Sequence, residues 1–150
     1  MLKPGDKAPS FSTKTDDGST ISLKDFKGKT VVLYFYPKDM TPGCTQQACD
    51  FSASLAAFPN KPAAVLGVSR DPAEKHLKFR EKHSLNFPLL VDEDGKLCKA
   101  YGVWQEKSLY GRKFMGIVRT TFVIGPTGKI DHVFPKVKVN GHVKAVLEGL

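Results

Sequence analysis

Residues 30–36 read TVVLYFY, an unbroken run of β-branched, aliphatic and aromatic side chains. A helix with one wet face would interrupt such a run with polar residues, and a half-exposed strand would alternate. The run therefore suits a central strand buried on both faces, and strands of that kind belong to parallel sheets covered by helices. Ala63–Val68 supplies a second buried strand. Between the two, Ala48, Phe51, Leu55 and Phe58 recur at helical spacing and Pro59 ends the helix. The pattern predicts a βαβ unit, whose crossover is right-handed.

The flanking segments extend this unit. Phe11–Thr15 and Thr20–Leu23 flank the turn Asp16-Asp17-Gly18 and predict an N-terminal β-hairpin. A second helix starts at Asp71-Pro72, with the proline in its first turn, and runs to about Leu85. Phe87–Val91 reads as a short strand and Leu97–Val103 as a short helix. Thr120–Ile124 and Ile130–Phe134 flank Gly125-Pro126-Thr127-Gly128 and form another hairpin. Val143, Val146, Leu147 and Leu150 mark a closing amphipathic helix, with Asn140 as its N-cap. A βαβ unit followed by a β-hairpin and a helix is the thioredoxin arrangement. The expected fold is thus α/β and thioredoxin-like, with an N-terminal β-hairpin and an inserted segment around residues 87–118 before the C-terminal hairpin. At 150 residues and 41% hydrophobic content, one domain spanning 1–150 can bury a sufficient core without metal or disulfide.

Such a fold places reactive groups where a strand ends and a helix begins. Cys44 falls there, after the TVVLYFY strand and in the first turn of the next helix. Unpaired N–H groups and the positive helix end favour thiolate over thiol, and the thiolate is the nucleophile. Pro42 and Gly43 set this cysteine at a loop-to-helix entry rather than on a packed face.

The residues around it carry a resemblance. Phe35–Cys49 read FYPKDMTPGCTQQAC, which contains P-x-x-x-T-x-x-C as Pro37, Thr41 and Cys44. This resembles the active-site signature of peroxiredoxins, and within them the bacterioferritin comigratory protein, or PrxQ-type, branch. GDKAPSF at 5–11, YGVW at 101–104, RTTFVIGPTGKI at 119–130 and KVNGHVKAVL at 138–147 look like the same branch, so the resemblance covers nearly the whole chain. It implies that Cys44 is the peroxidatic cysteine, whose thiolate attacks one oxygen of a hydroperoxide, giving a sulfenic acid and releasing water or alcohol. It implies that Thr41 sets its hydroxyl against the thiolate and that Pro37 shields the pocket. Arg119, before the TTFVIG strand, matches the arginine that peroxiredoxins bring beside the cysteine, where a fixed charge with five donors stabilises developing negative charge. Gln47 stands where many relatives have glutamate.

The resemblance also implies that Cys49, five residues after Cys44, is the resolving cysteine. Five residues of α-helix rise about 7.5 Å and turn roughly 140°, whereas a disulfide needs Cα atoms within about 7 Å and converging side chains. The expected disulfide therefore requires the first helical turns to unwind. Cys98 reads as a small buried hydrophobe, with a second resolving or intermolecular thiol as the alternative.

The implied partners are a hydroperoxide substrate and thioredoxin, or glutaredoxin, as reductant. The expected assembly is a monomer, with a weak dimer as the alternative. A net charge of +8 raises the question of nucleic acid, but the lysines are scattered and form no recognition motif. No stretch approaches the ~20 apolar residues of a membrane span, and no secretory leader is visible; the expected location is the cytoplasm. No metal-ligand or nucleotide-loop spacing is present, so no cofactor or metal is expected, and His76, His83, His132 and His142 are read as surface residues. Tyr101 and Trp104 are read as packing residues rather than pocket walls.

Two other functions remain open on the residues alone. A thioredoxin-like protein oxidoreductase would need a C-x-x-C pair, but Thr41 stands where its first thiol would be, and no proline precedes the TTF strand. A binding module using the basic surface would leave Thr41, Cys44 and Arg119 without a purpose.

Overall fold

The computed structural model describes residues 2–57 and 63–150. Strand β1 (Ser12–Lys14) pairs with β2 (Thr20–Ser22) as the expected N-terminal hairpin, followed by a short 3-10 turn at Leu23–Phe26. The central strand β3 (Thr30–Phe35) leads through a loop to α1 (Pro42–Ala57) and then to β4 (Ala63–Ser69). Phe58 and Pro59, assigned above to the end of the first long helix, lie outside the described residues. Next come α2 (Ala73–His83), β5 (Leu89–Val91) and α3 (Lys96–Ala100). An antiparallel pair, β6 (Trp104–Leu109) and β7 (Arg112–Ile117), precedes β8 (Thr120–Ile124), β9 (Ile130–Phe134) and α4 (His142–Glu148).

Five strands form the main sheet in the order β5-β4-β3-β8-β9. β3 and β5 lie parallel to β4, while β8 runs antiparallel to both β3 and β9. β3 thus has a partner on each side, and its alternating side chains divide between two cores. Val31, Leu33 and Phe35 enter one with Phe122, Ile124, Tyr101 and Cys98. Val32, Tyr34 and Tyr36 enter the other with Cys44, Ala48, Phe51 and Phe79. The TVVLYFY run is continuous because both faces are covered.

Three expectations change in detail. Pro72 is the N-cap of α2 in an extended conformation, one residue outside the helix, and its carbonyl accepts the Lys75 and His76 N–H groups. Gly141, not Asn140, caps α4, because the chain enters that helix at φ +77, which glycine adopts without steric cost. The inserted segment contains the β6–β7 hairpin, which the sequence reading missed; its tight turn holds both Tyr110 (φ +51) and Gly111 (φ +77) in the left-handed region.

Candidate active site

Helix α1 begins with Pro42, where a missing N–H costs nothing. The Thr45 N–H donates to the Thr41 carbonyl (2.9 Å), so the N–H groups of Gly43 and Cys44 fall in the unpaired first turn. Cys44 sits in this turn, only 2% exposed. A single register brings the arginine to it. Phe35 at the end of β3 pairs with Thr120 at the start of β8, so Arg119 lies beside the mouth of the loop that leads to α1. Its Nη2 donates to Cys44 Sγ across 3.2 Å, although the two residues are 75 positions apart. The arginine's own backbone is held by the Val137 N–H, which donates to its carbonyl (2.9 Å).

Gln47, which stands where many relatives have glutamate, gains a contact from the fold. Gln47 is fully buried, and its Oε1 accepts a hydrogen bond from Arg119 Nη1 at 2.6 Å. The two terminal nitrogens of the guanidinium therefore point at the sulphur and at a helix residue one turn further on. That fork is what a planar guanidinium can do and a lysine cannot. No local sequence signal could have found the pair, because its members are 72 residues apart.

Thr41 and Pro37 lie in the same loop, each partly exposed. The Thr41 hydroxyl does not bond the sulphur as expected; it donates to the Lys38 carbonyl three residues back in the loop (2.9 Å). Pro37 borders an open cavity of about 410 Å³ together with Trp104, Lys107, Phe114, Met115 and Ile117. Trp104 is therefore a cavity wall as well as a packing residue, and Arg70 stacks on its ring at 4.4 Å. Lys107 is held below the usual lysine range by burial and then by the Arg119 charge, with the Cys44 charge acting the other way.

The remaining cysteines differ sharply. All three are free thiols. Cys49 is partly exposed within intact α1, and burial followed by the Asp50 charge pushes its thiol up. Cys98 is fully buried in the core, where burial and a hydrogen bond with Asp92 raise it far above the ordinary thiol range. Cys98 thus packs in this core as a small hydrophobe. The surface assignment of the histidines fails twice. His76 is fully buried against Asp39, and His142 is 6% exposed with Nε2 2.8 Å from the Thr121 hydroxyl. Both rings have polar partners inside the fold, which their neighbours in sequence do not reveal. Among the described residues no cluster of His, Cys, Asp and Glu could hold a metal, and no helix is long and apolar enough to cross a membrane.

A cysteine under a forked guanidinium, beyond the C-terminal end of the central strand of a thioredoxin-like sheet, is the arrangement of a thiol-dependent peroxidase, and sequence comparison agrees. The profile of the AhpC/TSA family matches residues 4–133, and the chain belongs to that family, the peroxiredoxins. Peroxiredoxin Bcp of Bacillus subtilis is 51% identical over 99% of this chain and 95% of its own length. Peroxiredoxin Bcp of Escherichia coli K12 is 48% identical, covering 99% and 96%. Among solved structures, a Xylella fastidiosa PrxQ mutant superposes with a TM-score of 0.92 at 39% identity, covering 99% of this chain and 94% of that one. The Xanthomonas campestris bacterioferritin comigratory protein, studied for alkyl peroxide reduction, gives 0.88 at 40% identity, with the same coverage.

Proposed function

We propose that Cys44 is the peroxidatic cysteine of this peroxidase, with Arg119 as its electrostatic partner and Cys49 as the resolving cysteine. The 3.2 Å contact between Arg119 Nη2 and Cys44 Sγ at a helix N-terminus carries this reading. The Cys44 thiolate attacks one peroxide oxygen. An S–O bond forms as the O–O bond breaks, sulphur is oxidised, and the peroxide leaves as water or alcohol after taking a proton. Arg119 and the free N–H groups of the first turn face the charge that passes from sulphur to the leaving oxygen, with no reorganisation needed at that moment. Thr41 and Pro37 shape the loop, and rotation of the Thr41 hydroxyl away from Lys38 would direct it to an incoming peroxide.

Cys49 then attacks the sulfenic sulphur, forming the S–S bond and releasing water. Intact α1 keeps the two cysteines on different faces, so its first turns unwind before this step. A disulfide formed that way is strained and readily reduced. Its reductant is a thioredoxin-type dithiol, with glutaredoxin as the alternative, and the protein works as a cytoplasmic monomer.

The test is peroxide consumption with thioredoxin, thioredoxin reductase and NADPH. Wild type turns over, Cys44→Ser is inactive, and Cys49→Ser completes a single turnover. Continued cycling by Cys49→Ser would remove Cys49 from the resolving role, and activity in Cys44→Ser would remove the central assignment.

A further inference from the structure

One fully buried polar cluster plays no part in the chemistry above. Asp39, in the loop between β3 and α1, is 2% exposed, while Tyr36 and His76 are wholly buried. The Asp39 carboxylate accepts a hydrogen bond from the Tyr36 hydroxyl at Oδ1 (2.5 Å), and its Oδ2 lies 2.5 Å from His76 Nδ1. The other ring nitrogen, Nε2, is 2.9 Å from the Leu90 carbonyl oxygen. A carbonyl only accepts, so Nε2 carries a hydrogen. Nδ1 and Oδ2 must then hold a further proton between them, because two lone pairs at that distance would repel. The Asp39 backbone is tied as well, its N–H donating to Asp71 Oδ2 at 2.7 Å. One loop residue is thus bonded to the end of β3, to the entry of α2 and to α2 itself, and through His76 to β5.

The next residue is different in kind. Met40 is 38% exposed and sits at φ +66, a conformation that side chains other than glycine rarely adopt. Beyond it comes the first turn of α1, the segment that must open for Cys44 to reach Cys49. Firmly held and releasable chain therefore meet at Met40.

We propose that Asp39 and His76 are a positioning pair for the peroxidase cycle: they keep the loop from Pro37 to Asp39 in place while α1 opens beyond Met40, so that Cys44 returns to Arg119. The proposal rests on the reading of Cys44 and Cys49 given above. Removing one member of a buried hydrogen-bonded pair leaves the other without a partner, and the loop is then free to move. Asparagine at 39 is the conservative replacement. Its amide donates to a His76 Nδ1 that accepts, and its oxygen accepts from Tyr36, so both bonds survive.

Two measurements test it. In single-turnover kinetics, Asp39→Ala and His76→Phe slow oxidation of Cys44 at least tenfold without slowing disulfide formation, and Asp39→Asn stays within threefold of wild type. Ile130→Ala, in the opposite core, keeps the wild-type peroxide rate at a comparable loss of Tm. Hydrogen exchange on the wild-type protein needs no variant to fold. On oxidation the amides from Thr45 to Cys49 lose protection at least a hundredfold, while the Asp39 amide stays within tenfold of its reduced value. Loss of Asp39 protection together with that of the helix overturns the proposal, as does a wild-type peroxide rate in Asp39→Ala. A wild-type protein that forms no Cys44–Cys49 disulfide at all instead refutes the underlying mechanism, and the pair's role with it.

Discussion

Replacement of Arg119 by methionine keeps an unbranched, mostly apolar stem and removes both terminal contacts. Nη2 loses Cys44 Sγ at 3.2 Å and Nη1 loses Gln47 Oε1 at 2.6 Å. Deleting one preorganised donor to developing charge slows catalysis about 10²–10³-fold, or about 2.7–4 kcal/mol. Because the contact is charged and sheltered, the upper half of that range is expected for Arg119→Met. Arg119→Lys restores a charge but not the fork, and one charge-assisted hydrogen bond lost at about 1.5–3 kcal/mol corresponds to a roughly 10–150-fold decrease. The lost Gln47 contact also costs stability, about 1–3 kcal/mol, since Gln47 Nε2 already has no partner among the described residues. Urea unfolding must therefore accompany the kinetics. The assay is competition for hydrogen peroxide against a peroxidase of known rate, which reports the Cys44 oxidation step alone. A folded Arg119→Met protein within threefold of wild type would refute the electrostatic role assigned to this residue.

Gln47→Ala leaves Arg119 Nη1 without its anchor and is expected to slow the peroxide step about tenfold, while Gln47→Glu, which still accepts from Nη1, is expected to stay near wild type in the same assay. Tyr34→Phe is expected to raise stability by about 1 kcal/mol in urea unfolding, because the fully buried Tyr34 hydroxyl has no hydrogen-bond partner among the described residues. Gly67→Ala places a Cβ 2.9 Å from both Leu89 Cδ2 and Tyr34 Oη, and is expected to cost about 1–3 kcal/mol. Acid should weaken the fold through His142, whose pKa is lowered to about 4 by burial and then by the Arg119 charge. Between the ordinary value of 6.5 and about 4 the unfolded chain takes up a proton that the folded protein does not, so stability falls as pH falls through that window. The contribution is about 1–2 kcal/mol after allowing for solvent screening, and His142→Gln should flatten the pH dependence of the urea midpoint.

Elements whose cause is local could be read from the chain. The TVVLYFY strand, the hairpin turns at 16–18 and 125–128, and the apolar spacing of Ala48, Phe51 and Leu55 each reflect preferences acting over a few residues. The β6–β7 hairpin was not legible. Its turn uses Tyr110 in a conformation normally given to glycine or asparagine, and its outer residues Phe114 and Met115 are about half exposed rather than hidden in a core. His76 was misread for a related reason. It lies in the charge-rich helix AEKHLKFREKH, and nothing nearby in sequence announces Asp39 as its partner.

The placement of Cys44 belongs to the sequence. A proline and a glycine after a doubly buried strand, followed by helical spacing, suffice to put Cys44 in the first turn of a helix, because strand, loop and helix are contiguous. Its surroundings belong to the tertiary structure. Pairing of Phe35 with Thr120 sets where Arg119 stands, and burial of Gln47 decides which way the guanidinium fork points. Sheet register and side-chain burial join residues distant along the chain, where no local spacing can encode the contact, and a 3.2 Å hydrogen bond across 75 positions exists only once the sheet has closed.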